Sequence, residues 1–179
     1  MYVEPDCNIP SAESLIRQFM YGQHYFREKA GNTVKNCWLP DGFGNSWILP
    51  QIMKKSGVDY FVSNKMSTWN DTNRFPHNNF KWKGIDGSEV LTHFTPARDY
   101  AGGGSYEKHE DLSFFTTYNA LIAPLQIKGG WQRFQQKGVD NHVLISYGYG
   151  DGGGGSCDWM IENARRMHSP VAGMPAVRQ

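Results

Sequence analysis

Apolar positions along the chain recur with two different periods, and each change of period marks a boundary between a helix and a strand. Leu15, Ile16, Phe19 and Met20 recur at i, i+1, i+4 and i+5, a spacing that gathers them on one helical face. Ser11 can cap this segment and Gly31 follows its last basic residues, so a helix is expected over 11–29. Residues 1–4 read as the end of a buried strand, followed by a polar turn built on Pro5, Asp6, Asn8 and Pro10. A short apolar step over 36–39 ends at Pro40-Asp41-Gly42. A second helix is expected over 46–55, stopped by Gly57, and a second strand over 59–62.

Residues 64–80 carry Asn, Thr, Trp and Pro without a period, which predicts a long loop near the working end. Strands over 80–85 and 89–94 flank Asp86-Gly87, a tight-turn pair. Past the break at Gly102 to Gly104, residues 111–137 read as mostly helical and amphipathic, ending at Gly138. Residues 142–147 form the clearest strand pattern, followed by Gly148-Tyr149-Gly150-Asp151, four more glycines and a helix over 158–167.

Strands followed by helices, with polar Gly-rich loops after the strands, predict a mainly parallel α/β sheet. Such a sheet places its functional residues at the C-terminal strand ends. The strands are too few to close a barrel, and a parallel sheet without its neighbours exposes apolar edges. Residues 1–179 are therefore expected to form one partial domain, an internal piece of a larger one.

Composition narrows the function. With 39% hydrophobic and 14% aromatic residues the chain can bury a core, which argues against disorder. A net charge of +1 from 18 basic and 17 acidic residues creates no long-range field to gather nucleic acid or an anionic membrane surface, and favours a neutral partner. Six Trp, nine Tyr and ten Phe suit a sugar-binding cleft, although a core uses them too. Three cysteines without CxxC spacing indicate neither a disulfide framework nor a zinc finger, so a reducing, cytoplasmic setting is the simplest reading. Residues 1–20 lack the basic start, apolar stretch and cleavage site of a secretion signal, and the apolar runs are short.

Several motifs carry two readings. Pro40-Asp41-Gly42 is an ordinary turn tripeptide, but it stands between a strand and a helix, where α/β sheets place catalytic carboxylates. Gly148, Gly150 and Gly153 spell GxGxxG after a strand, yet residues 169–179 contain no acidic residue for a ribose and no Gly-Lys-Ser/Thr follows. What remains is an acid, Asp151, on a backbone that a ligand can approach closely. His109-Glu110-Asp111 has metal-pair spacing but sits in a charge run, and reads better as a solvated face. His93 and His142 read as packed or hydrogen-bonded histidines. Trp69 and Trp82 suit a sugar site or a core.

Taken in order, YVEPDCNIPSAESLIRQ, WLPDGFGNSWILPQIMKKSGVDYF, NKMSTWNDTNRFPHNNFKWKGIDGSEVLTHF and YGYGDGGGG resemble the catalytic domain of glycoside hydrolase family 38, the α-mannosidases. The match covers nearly the whole chain and is closer to the cytosolic and bacterial branch. It implies part of a mainly parallel seven-stranded α/β barrel, incomplete here, with a retaining mechanism and a catalytic zinc. Asp41, in WLPDGFG, is implied as nucleophile and zinc ligand, and Asp151, in GDGGGG, as general acid/base. Asp6 and Lys65 match positions beside the site and are implied, with Trp69, as substrate contacts. The remaining zinc ligands in the family come from an early His-x-Asp motif and a late histidine, neither of which lies in this chain, so the chain alone is expected to be inactive. Gly42 stands where the family usually has a larger residue.

The chemistry agrees with the resemblance. A retaining glycosidase needs one carboxyl to form a glycosyl-enzyme and another to protonate the leaving oxygen and then activate water. The implied partner is a mannose-containing oligosaccharide, with neither nucleic acid nor membrane, and the sequence leaves a homo-oligomer of the full-length protein open. Readings from other classes are a carbohydrate-binding module without catalysis and a nucleotide-binding oxidoreductase built on the GxGxxG run.

Overall fold

The computed structural model describes residues 1–68, 75–98, 116–150, 153–169 and 172–179. They divide into two compact units, one of Met1–Met66 with Asn79–Phe94 and the other of Ser67–Asn78 with Thr95–Gln179.

The first unit opens on α1 (Ala12–Ala30), bounded as the sequence predicts. Ser11 Oγ accepts from the Ser14 amide at 3.2 Å, and Gly31 adopts φ 73° so that its N–H reaches the Arg27 carbonyl at 3.0 Å. Leu15, Phe19 and Gly22 form its buried face. Gly22 lets the chain start cross the helix, because a Cβ there would lie 2.8 Å from the Met1 carbonyl carbon and 2.9 Å from the Tyr2 nitrogen. This explains a departure from expectation: residues 1–4 form no strand. Their amides turn to α1 instead, Tyr2 N–H donating to the Gln18 carbonyl at 2.9 Å and Val3 N–H to Gln18 Oε1 at 3.0 Å.

Four strands follow, β1 (Asn36–Trp38), β2 (Tyr60–Ser63), β3 (Asn79–Lys83) and β4 (Glu89–Phe94), in the order β1-β2-β4-β3. The β1/β2 and β2/β4 pairs are parallel and the β3/β4 hairpin is antiparallel, so the sheet is mixed but mainly parallel. The hairpin turns at Gly87, φ 86°, with Asp86 Oδ1 accepting from the Ser88 amide. In β4, Val90, Thr92 and Phe94 point inward, the alternation that a strand with one buried face requires. Val90 and Phe94 join Phe61, Cys37, Leu39, Leu15 and Phe19 of α1, and Leu49, Ile52 and Met53 of α2 (Leu49–Lys55) in one core. Trp82 packs on this core with its ring 5.1 Å from Phe61, which settles it as a packing residue. These four strands are the whole sheet among the described residues; a seven-stranded barrel is not formed by them. A four-residue helix, α3 (Lys65–Thr68), opens the segment expected as loop.

The second unit contains α4 (Pro124–Arg133) and α5 (Asp158–Arg166), and differs from expectation twice. Residues 116–123 are not helical, and helix begins only at Pro124, a residue suited to the first turn because it lacks an N–H. Residues 142–147 form no strand beyond a single parallel bridge, Ala120 with Tyr147, where Ala120 N–H donates to Ser146 and Gly148 N–H donates to Ala120. A ladder needs a partner running alongside, and the Ala120 segment turns into α4 after one register point. Ile145 and Tyr147, partly buried, still pack against Ile122, Ile127, Met160 and Ala164, whereas Leu144 is exposed, so the apolar pattern marked a packed face in part and its geometry wrongly.

Candidate functional site

β1 leads directly to Asp41. Past Trp38 the chain stays in line with β2: Leu39 N–H donates to the Val62 carbonyl at 3.0 Å, and Ser63 Oγ donates to the Leu39 carbonyl at 2.9 Å. Lys65 N–H then reaches the Pro40 carbonyl at 3.4 Å. The chain turns at buried Pro40 and exposed Asp41, just beyond the C-terminal ends of two parallel strands, the position anticipated for a catalytic carboxylate.

Two chain segments wall the cleft around it. The parallel bridge between Cys7 and Asn45 holds the Asp6 to Asn8 turn against the loop that follows Asp41. Gly44 allows this contact, since a Cβ there would lie 2.8 Å from Asn8 Nδ2. A Cβ at Gly42 would meet nothing closer than Asn45 Oδ1 at 3.8 Å, so packing does not demand a glycine beside Asp41. The resulting open cleft of about 410 Å³ is lined by Glu4, Asp6, Asn8, Asp41, Phe43 and Gly44, among others, and its size falls in the range of ~300–1,000 Å³ usual for small-ligand sites.

Asp41 is half exposed and held at two points. Its own N–H donates to Glu4 Oε1 at 2.7 Å, and its Oδ1 pairs with Lys65 Nζ at 3.1 Å. The Lys65 ammonium also lies 5.4 Å from the centre of the Phe43 ring. Asp6 turns its carboxylate onto its own loop, where hydrogen bonds from the Ile9 and Asn8 amides, at 2.8 and 2.7 Å, hold it below the usual carboxylate range. Asp41, Asp6 and Lys65 thus belong to one neighbourhood. Glu4 was missed by sequence reasoning although it stands in the same VEPD run; its bond to Asp41 spans 37 positions, and no local pattern announces it.

Asp151 and Trp69 lie outside the described residues, as does His109-Glu110-Asp111. His93 Nδ1 pairs with Asn79 Oδ1 at 2.6 Å, and exposed His142 pairs with Asp140 at 3.2 Å, so both are hydrogen-bonded as the sequence suggested. Within the GxGxxG run the described glycines serve chain crossing: Gly148 has φ 135° and packs against the Gly155 backbone, and a Cβ at Gly150 would strike Asn119 at 2.7 Å.

The donor set does not by itself fit a zinc ion. Among the described residues no group of three or more His, Cys, Asp or Glu side chains converges, and Asp41 is the one expected ligand present. Burial pushes the Cys7 thiol up to about 11 and the Cys37 thiol up to about 12, so both stay protonated near neutrality and offer no thiolate. All three cysteines are free. Among the described residues no helix is long and apolar enough to cross a membrane.

Fold and site together define a class: a mainly parallel α/β sheet protein that presents an acidic cleft beyond its strand ends. Comparison with known proteins narrows it further. The chain belongs to glycosyl hydrolase family 38, whose N-terminal domain matches residues 1–179. It is 40% identical to α-mannosidase 2C1 of Mus musculus and 41% identical to that of Homo sapiens, in each case over 99% of this chain and 15% of the relative. It is also 40% identical to the α-mannosidase of Saccharomyces cerevisiae, over 94% of this chain and 14% of the relative. The chain therefore spans about 15% of the length of these relatives. The crystal structure of an α-mannosidase from Enterococcus faecalis V583 matches 82% of this chain and 15% of that one, at a TM-score of 0.55 and 18% identity, a likeness of fold.

Proposed function

We propose that the full-length protein is a zinc-dependent α-mannosidase that removes terminal α-linked mannose from oligosaccharides with retention of configuration. The observation that carries this reading is Asp41: a half-exposed carboxylate, fixed at both backbone and side chain, in a cleft beyond two parallel strand ends. Relatives named α-mannosidases, similar across nearly the whole chain, supply the sugar and the linkage type.

Asp41 would form a bond to the anomeric carbon as the bond from that carbon to the leaving oxygen breaks. Asp151 would give its proton to that oxygen and then take one from the water that releases mannose. Asp6 and Trp69 would line the sugar site, and Lys65 would support it through its ion pair with Asp41. Zinc enters as a cofactor of the full-length protein, with Asp41 as one ligand and the others outside this chain. Residues 1–179 count in this reading as one partial catalytic domain, within a seven-stranded barrel completed by the rest of the protein. The free cysteines favour the cytoplasm.

Stereochemistry tests the proposal directly. Proton NMR of the full-length protein acting on an aryl α-mannoside should show α-mannose as the first-formed anomer, with the β form arising later by mutarotation. First release of β-mannose would exclude a glycosyl-enzyme on Asp41. The oxidoreductase alternative is not favoured, since the GxGxxG glycines are accounted for by close packing, Gly148 and Gly153 against backbone and Gly150 against the Asn119 side chain.

A further inference from the structure

We propose that Lys65 is a positioning residue that sets the rotation of the Asp41 carboxylate, and that it does not contact the sugar. The inference rests on Asp41 being the nucleophile. It follows from an asymmetry within the ion pair: the Lys65 side chain is 9% exposed and the Asp41 side chain 51%. The carboxylate can meet a ligand in the cleft, whereas the ammonium is covered, with Asp41 at 3.1 Å and the Phe43 ring at 5.4 Å.

Both ends of this pair are anchored to the sheet. Lys65 opens α3 directly after β2, and its N–H donates to the carbonyl of Pro40, the residue before Asp41. Glu4 holds the Asp41 backbone through its N–H. Backbone anchoring leaves the final torsion of the aspartate, broad and roughly two-fold, to the groups that hold its oxygens, which are Lys65 at Oδ1 and, in the reading above, zinc. Lys65 engages Oδ1, which leaves Oδ2 for attack in this reading. Attack at an anomeric carbon must come nearly in line with the departing oxygen, so a carboxylate that turns freely is seldom aligned.

Charge stabilisation does not account for the contact. Negative charge leaves Asp41 as the new bond forms, so a nearby cation favours the ground state over the transition state. The benefit of Lys65 must come through geometry, and its loss should appear in kcat with KM held.

Lys65→Met and Lys65→Arg, made in the full-length protein and assayed on an aryl α-mannoside, test this. Methionine should lower kcat by about 100-fold with KM changed less than about three-fold, the scale of misplacing a reacting group. Arginine, which can still donate to Oδ1, should restore kcat to within about ten-fold of wild type. A raised KM at unchanged kcat would make Lys65 a sugar contact and overturn the inference, as would no change in either, or no rescue by arginine. If the methionine variant does not fold, as judged by its thermal midpoint, the arginine variant decides: kcat within about ten-fold of wild type at constant KM supports positioning, and a larger loss or a raised KM opposes it. Asp41→Asn, assayed alongside, separates the premises, because wild-type turnover there would defeat the nucleophile reading itself.

Discussion

Asparagine in place of Asp41 should leave the full-length enzyme with less than about one ten-thousandth of its turnover on an aryl α-mannoside, the scale seen when a covalent nucleophile is removed. An amide is neutral and a poor nucleophile, so the glycosyl-enzyme cannot form and the two-step path is lost. Asparagine suits the test because its carbonyl oxygen can still accept from Lys65, so the covered ammonium keeps a hydrogen-bond partner. Its backbone N–H can still donate to Glu4. An unchanged thermal midpoint would locate the loss in chemistry, and turnover within ten-fold of wild type would remove Asp41 from the mechanism.

Asparagine in place of Asp151 should have the second largest effect, and a different signature. General acid/base assistance is worth about 10²–10⁴-fold, so hydrolysis of an oligosaccharide should fall by that order. An aryl group that leaves readily needs little proton donation, so the first step on such a substrate should be much less impaired and breakdown of the glycosyl-enzyme should limit the rate. Azide needs no general base. It should accelerate the variant and give α-mannosyl azide, the product expected when a nucleophile intercepts a glycosyl-enzyme in a retaining enzyme. Equal loss on good and poor leaving groups, without an azide product, would move the acid/base role to Asp99, Asp6 or residues outside this chain.

Local chemistry made some elements legible and left others hidden. Ser11 and Gly31 announced both ends of α1 because a cap and a left-handed glycine act within one turn. Asp86-Gly87 did the same for the β3/β4 turn. Asp41 was legible from its place after an apolar step and from a long motif, and the end of β1 accounts for that place. Residues 1–4 and 142–147 were misread because a strand is a relation between segments. The first of these meets α1 at Gly22, and the second, among the described residues, finds a partner only at Ala120. Glu4 and the burial of Lys65 were hidden for the same reason, since each acts on Asp41 from a distant part of the chain.

Trapping the covalent intermediate tests the central claim most directly. A fluorinated mannosyl fluoride slows both chemical steps by destabilising the oxocarbenium-like state, yet its good leaving group lets the first proceed, so the glycosyl-enzyme accumulates. Full-length protein treated this way, digested and analysed by peptide mass spectrometry, should carry one fluoromannosyl group on the peptide containing Trp38-Leu39-Pro40-Asp41-Gly42, with fragmentation placing it on Asp41. A stoichiometric label on any other residue would contradict the account.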